Sequence, residues 1–149
     1  MICERKERSV FQIRLMGMKT TQRIGLELTG RNLLDFCRYS EKEQAQEDLN
    51  RIIDEPVGQF VIVKDRFTSG REAWVEIVRL PLTDEEGDVR FIIGSTEEKK
   101  TTGFAGPGRD TPVLLAERIK GFFFDLDGRV RTETAWKNLA ASGGIGGDW

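Results

Sequence analysis

The stretch Arg71–Glu97 reads REAWVEIVRLPLTDEEGDVRFIIGSTE, and the rest of the predicted fold is arranged around it. Its two halves are rich in β-branched and aromatic residues, a composition typical of strands. The acidic segment TDEEGD between them favours a turn, so the two strands should pair antiparallel. The preceding run Gln59–Phe67 also has strand composition and ends in the turn signal TSG. We therefore predict three consecutive antiparallel strands.

Both faces of this predicted sheet carry apolar residues. Alternation along the first long strand places Ala73, Val75 and Ile77 on one face, so the residues between them lie on the other. An antiparallel sheet with one face in water should alternate more cleanly between apolar and polar residues. We therefore expect the second face to be covered, either by another part of this chain or by a second copy. The residues expected at this interface are Trp74, Val61, Val63 and Val78.

Segments before this sheet predict one further strand, broken helices and one regular helix. Val10–Gly17 alternates with strand period, and a shortened first strand is predicted before it. Residues 20–36 contain two glycines that should separate two helical turns. Ser40 and Glu43 match the capping box, so a helix is predicted from Ser40 to just before Pro56. The predicted fold class is α+β, an antiparallel sheet with short helices on one face.

The C-terminal third has a different composition. Residues 1–100 are predicted to form the main domain, and residues 101–149 a Gly-rich linker and extension. Thr111 and Pro112 are suited to the start of a short helix that carries Val113, Leu114, Leu115 and Ile119. The residues Asp125–Gly128 then favour a turn. The linker is flexible enough for this extension to fold back over the second face of the sheet.

Composition excludes several classes of function. The chain has 149 residues, a net charge of −2 and no histidine. This charge gives no general attraction to nucleic acid or to an anionic membrane. Without histidine there can be no histidine-ligated haem, no histidine zinc site and no Ser-His or Cys-His catalytic pair. The sequence shows neither a signal peptide nor a membrane-length apolar run, and Cys3 and Cys37 form no disulfide framework, so a cytoplasmic location is expected.

The ordered segments FQIRLMG, RIGLELTGRNLLDF and AWVEIVRLPLTDEEGDVRFIIGS, with the predicted helix between the last two, resemble a PAS domain. The resemblance covers about Val10 to Ser95 and is strongest to the small single-domain PAS proteins of alphaproteobacteria. It implies a sensory or protein-interaction module, often dimeric, with a pocket between helices and sheet. The residues expected to border such a pocket are Arg31, Asn32, Phe36 and Tyr39.

No cofactor is expected. Light-sensing flavin PAS domains have a cysteine directly after a Gly-Arg-Asn run, and here Leu33 occupies that place while Cys37 lies four residues later. We interpret Cys37 as a buried structural thiol. The run Asp125-Leu126-Asp127-Gly128 resembles the nucleophile loop of haloacid-dehalogenase-type phosphatases, but Arg129 follows where threonine or valine is usual. A plain turn is the favoured interpretation.

Two hypotheses about function stay open at this point. The first is a signalling or protein-interaction module without catalytic activity, acting as a homodimer with an unknown signalling protein. The second is a PAS domain that senses a small apolar ligand between its helices and its sheet. A phosphatase that depends on Asp125 and Asp127 is a third and weaker alternative.

Overall fold

The computed structural model describes residues 1–103 and 112–133. Within them, seven strands form one antiparallel sheet in the order β2-β1-β5-β4-β3-β6-β7. The strands are β1 (Ile2–Glu7), β2 (Val10–Leu15), β3 (Gly58–Phe67), β4 (Glu72–Thr83), β5 (Val89–Thr102), β6 (Pro112–Phe124) and β7 (Val130–Glu133). The helices are α1 (Met18–Ile24) and α2 (Tyr39–Asp54), with a 3-10 turn at Leu33–Phe36 between them. This arrangement confirms the predicted α+β class.

The three central strands pair as predicted. Strand β3 pairs with β4 from Gln59↔Arg79 to Arg66↔Glu72, and β4 pairs with β5 over almost its whole length. The acidic turn closes where the composition indicated, because the backbone N–H of Gly87 donates to the carbonyl of Asp84 over 3.1 Å. Strand β1 runs to Glu7, two residues beyond the predicted end, and pairs with both β2 and β5.

Helices α1 and α2 lie on one face of the sheet, which we call the helix face. Leu49, Ile52 and Ile53 of α2 are buried there against apolar side chains from four strands. Gly25 ends α1 in the left-handed region at a φ of 73°, which glycine adopts without steric cost. The predicted break between two helical turns is therefore confirmed.

The predicted start of the long helix is wrong. Helix α2 begins at Tyr39, its N-cap is Arg38, and no side chain caps it. Ser40 is exposed and lies inside the helix, so its hydroxyl is not in the N-cap position that a capping box requires. Pro56 does follow the end of the helix, as predicted.

The predicted helix over Val113–Ile119 is also wrong. Pro112–Phe124 forms strand β6, which pairs with β3 from Gly58↔Phe124 to Phe67↔Pro112. Pairing with the otherwise open edge of β3 outweighs the local helical preference. Strands β6 and β7 lie beyond residue 100 and extend the same sheet. The expected cap Thr111 and most of the expected linker lie outside the described residues.

The pairing of β3 with β4 shows that two residues expected on the second face of the sheet, Val61 and Val63, lie on the helix face. Val61 pairs with Ile77, and Val63 pairs with Val75, so both lie on the helix face, where they are buried with Ala73. Directly paired residues of an antiparallel sheet project from the same face. Trp74 and Val78 therefore share the opposite face, which we call the open face, without Val61 and Val63.

Candidate functional site

A cavity of about 190 Å³ lies between the helix face and the segments α1, the 3-10 turn and α2. Its lining is mainly apolar. The apolar side chains that line it are Met1, Ile13, Met16, Ile24, Leu28, Leu33, Phe36, Ala45, Leu49, Val61, Val63 and Ile77. The charged side chains that line it are Arg23, Glu41, Asp65, Arg79 and Arg118. An apolar cavity with a few convergent polar groups is the usual form of a small-molecule site.

Of the four residues expected to border a pocket, Phe36 lines this cavity. Asn32 caps the 3-10 turn instead: its Oδ1 accepts from the backbone N–H of Phe11 at 3.0 Å and of Leu34 at 3.3 Å. Arg31 is exposed, and Tyr39 is 95% exposed at the first turn of α2. Neither of these two side chains lines the cavity.

Arg79 brings a partly buried cation to the cavity wall. Alternation along β4 puts it on the helix face, and its Nη1 donates a hydrogen bond of 2.8 Å to Oε1 of Gln59. Its Nε is buried and has no hydrogen-bond partner in the described part of the chain. Burial is the main reason that the pKa of the Arg79 guanidinium is lowered, although arginine keeps its charge at neutral pH.

A buried network continues from Gln59 to the helix. Gln59 is fully buried, and its Nε2 donates to Oδ2 of Asp48 over 2.8 Å. Asp48, on α2, also accepts from Gln44 over 3.0 Å and forms an ion pair with Arg118 of β6. The network therefore joins β4, β3, α2 and β6. Its buried carboxylate is fully engaged by neighbouring donors, as a stable buried charge requires.

A second ion pair lies at the cavity wall, between Arg23 of α1 and Asp65 of β3. Burial raises the pKa of the Asp65 carboxyl, and the positive charge of Arg23 opposes this rise. The pair fastens the short helix α1, in which no residue is fully buried, to the sheet. Thr20 adds a hydroxyl contact of 3.2 Å with Thr96.

The two cysteines are free thiols in apolar surroundings. Cys3 is buried in the core, where burial raises its pKa to about 11. Cys37 is partly buried and lines the cavity, and burial raises its pKa as well. A thiol with a raised pKa stays protonated at neutral pH and is a poor nucleophile.

The Asp125–Gly128 run forms the tight turn between β6 and β7. Gly128 donates its N–H to the carbonyl of Asp125 at 2.8 Å. The Asp125 carboxylate pairs with Arg131, and that of Asp127 pairs with Arg129. Each acid is thus neutralised by a local arginine on an exposed hairpin, an arrangement that favours a structural turn over a phosphatase loop.

The open face has a charged half and an apolar half. Trp74 lies in the charged half, where the ammonium groups of Lys64 and Lys100 lie 5.4 Å and 5.8 Å from its ring centre. The apolar half contains what we call the open-face patch. Its members are Leu15 (58% exposed), Leu80 (36%), Leu82 (37%) and Ile93 (39%). Leu80 and Ile93 are direct partners on β4 and β5.

Neither a metal site nor a membrane span is found in the described ranges. No three metal-ligating side chains are grouped together in residues 1–103 and 112–133. The helices of those same ranges are too short or too polar to cross a bilayer.

Sequence patterns missed Arg79, Gln59 and Asp48. A signal for Arg79 was present, because the alternation that puts Ala73, Val75 and Ile77 on one face continues to position 79. A charged residue at a core-face position marks either a paired structural charge or a functional group. Arg118 could not have been found in this way, since its segment was interpreted as a helix.

Comparison with known proteins agrees with this geometry. A family model described as a PAS domain matches residues 1–97, which include β1 to most of β5 and both helices. A search of curated proteins finds no match. The matched region contains most of the cavity wall, with Arg118 of β6 contributed from beyond it. On the strength of this match over more than half of its length, the chain belongs to the PAS domain family.

Proposed function

We propose that this protein is a sensory signalling module without catalytic activity, which binds a small, mainly apolar molecule in the cavity between its helices and its sheet. PAS domains are signalling and sensory modules, and the family match supports that general role. The observation that supports ligand binding is the apolar cavity of about 190 Å³. Apolar cavities of about 150 Å³ are known to accept benzene, so this one has room for a slightly larger compound.

The cavity is well placed for sensing. Its wall includes α1, which contributes no fully buried residue and is held by polar contacts such as Arg23–Asp65. Elements with few buried apolar contacts open at low free-energy cost. An apolar molecule bound against Ile24 would add buried contact to α1. Binding would therefore increase the fraction of molecules in which α1 is packed against the sheet.

Native mass spectrometry of the protein purified from its own cell tests this proposal. We expect a single small molecule bound non-covalently to the parent protein. Ala45→Phe fills the cavity from α2 and should abolish the added mass, whereas Glu47→Phe, at an exposed position of the same helix, should retain it. A parent protein that carries no small molecule, or an Ala45→Phe variant that carries the same one, would count against ligand binding in the cavity.

A second candidate role is assembly through the open face. We propose that a second copy of the chain covers the open-face patch, giving a cytoplasmic homodimer that presents its signal to a partner protein. Four large apolar side chains, each more than a third exposed, support this proposal. Contiguous exposed apolar surface usually marks an interface.

A further inference from the structure

We propose that Arg79 binds an acidic group of the ligand, so that the molecule taken into the cavity is a compact carboxylic acid with an apolar body. This inference rests on the ligand-binding function proposed above and narrows its chemistry. A guanidinium carries five N–H donors, and Arg79 uses Nη1 for its one hydrogen bond in the described part of the chain. Its Nε is shielded from solvent and lacks a hydrogen-bond partner among those residues.

The neighbouring charges distinguish Arg79 from the other arginines of the cavity wall. Arg23 is paired with Asp65, and Arg118 is paired with Asp48. Arg79 contacts a neutral amide, that of Gln59, and forms no ion pair within the described residues. A partly desolvated cation without a counter-ion is costly, and an anion that enters the cavity would relieve that cost.

The remaining acidic residue of the cavity wall, Glu41, does not act as a counter-ion to Arg79. Glu41 lies on the first turn of α2, and its Oε2 accepts a hydrogen bond of 3.3 Å from the backbone N–H of Arg118. The carboxylate of Asp48 is likewise occupied, by Gln44, Gln59 and Arg118. The free donors of Arg79 match the two oxygens of a carboxylate, which arginine binds with parallel hydrogen bonds.

The size of the cavity limits the body of the acid. The cavity has a volume of about 190 Å³. A cavity of about 150 Å³ accepts benzene, so this one has room for a benzene ring with a small substituent. Met16, Leu28 and Phe36 provide apolar contacts for a ring or a short branched chain. Benzoate has these properties, and benzyl alcohol has a similar shape without the charge.

Isothermal titration calorimetry with benzoate and benzyl alcohol at neutral pH tests the inference. We expect the parent protein to bind benzoate at least about tenfold more tightly, as hydrogen bonds to a charged group predict. Arg79→Met should remove this preference while leaving benzyl alcohol binding within about twofold. Arg90→Met, which removes an arginine paired with Glu4 at the sheet surface, is the matched control and should retain the preference for benzoate over benzyl alcohol.

The outcomes separate the inference from the function on which it rests. If benzyl alcohol binds the parent protein as tightly as benzoate does, the cavity binds ligands but Arg79 is not an acid receptor. If neither compound binds, both proposals fail. The comparison of the two compounds on the parent protein needs no variant, so it decides the matter even if Arg79→Met does not fold. An Arg79→Lys variant that retains part of the preference would further support a charge effect.

Discussion

Gln59 and Arg79 lie directly opposite each other on β3 and β4, and their side chains are joined by a hydrogen bond of 2.8 Å. The side-chain amide N–H of Gln59 donates a hydrogen bond to Asp48 of α2. One amide therefore connects the Arg79 cation of the sheet to a carboxylate of the helix. A ligand that engages Arg79 would therefore act on a hydrogen-bonded chain that ends on α2. This contiguous chain physically joins the cavity wall to the buried side of α2.

Asn32→Ala should destabilise the protein, whereas Ser40→Ala should not. The Asn32 side chain bonds three backbone groups, the N–H of Phe11, the N–H of Leu34 and the carbonyl of Ser9, and its loss should cost about 1–3 kcal/mol. Ser40 caps nothing, so its substitution should change the free energy of unfolding by about 0.5 kcal/mol or less. Urea denaturation of both variants provides the measurement. A loss of about 1 kcal/mol or more on Ser40→Ala would show that α2 does begin at a side-chain cap.

Val75→Asp should be severely destabilising, by roughly 3 kcal/mol or more, because it places an unpaired charge in the core. Val75 is fully buried on the helix face, among Val61, Val63 and Ala73. Leu82→Asp, on the opposite face of the same strand and 37% exposed, is the matched control and should cost much less. The two denaturation midpoints should differ widely. Similar midpoints would mean that the register of β4 is shifted by one residue.

Alternation within a strand was enough to place Val75 on the core face, but not enough to place Val61 and Val63. Each strand has two faces, and which face of β3 matches which face of β4 depends on the pairing register, a long-range property. Strand β6 could not be predicted for the same reason. Its local composition suits helix or strand, and the free edge of β3 decides between them.

Local signals succeeded where the chemistry is local. The Gly25 helix stop and the turn at Asp84–Gly87 depend on residues that favour those conformations by themselves. The capping box failed because two residues at the right spacing do not fix where the helix begins. Of the cavity wall, Phe36 was predicted, and the polar network was not, because it joins side chains from four separate elements.

Stability should fall in acid partly because of Glu4. Its carboxylate is nearly buried, and its Oε1 lies 2.8 Å from Nζ of Lys6 and 2.7 Å from Nη2 of Arg90. These contacts, the Lys6 hydrogen bond first, lower the pKa of Glu4 below the ordinary value of 4.5. A group whose pKa is lowered by folding stabilises the protein at pH values above its ordinary, unfolded-state pKa. This stabilisation is lost as the pH falls through the lower pKa of the folded state.

Glu4→Gln should therefore be less stable than the parent at neutral pH, and the difference should narrow below about pH 4.5. Denaturation midpoints measured across this range give the comparison. Two parallel curves, with a constant difference at every pH, would show that the loss comes from packing and not from the charge of Glu4.

Ile93→Arg should convert the proposed homodimer into a monomer. Ile93 is 39% exposed beside Leu80 at the centre of the open-face patch, and a charge there would be buried at the interface. Tyr39→Arg, at a side chain that is 95% exposed outside the open face, is the control and should stay dimeric. Light scattering at micromolar concentration measures the mass. A parent protein that is already monomeric would remove the dimer proposal.

Methionine methyl groups offer the most direct test of ligand binding in the cavity. Met16 lines the cavity and is 9% exposed, whereas Met18 is 79% exposed two residues later. In protein labelled with ¹³C at the methionine methyls, addition of benzyl alcohol should shift the Met16 signal in a saturable way and leave the Met18 signal in place. The Ala45→Phe variant should show no shift. A Met16 signal that stays unchanged up to the solubility limit of benzyl alcohol would contradict the proposed site.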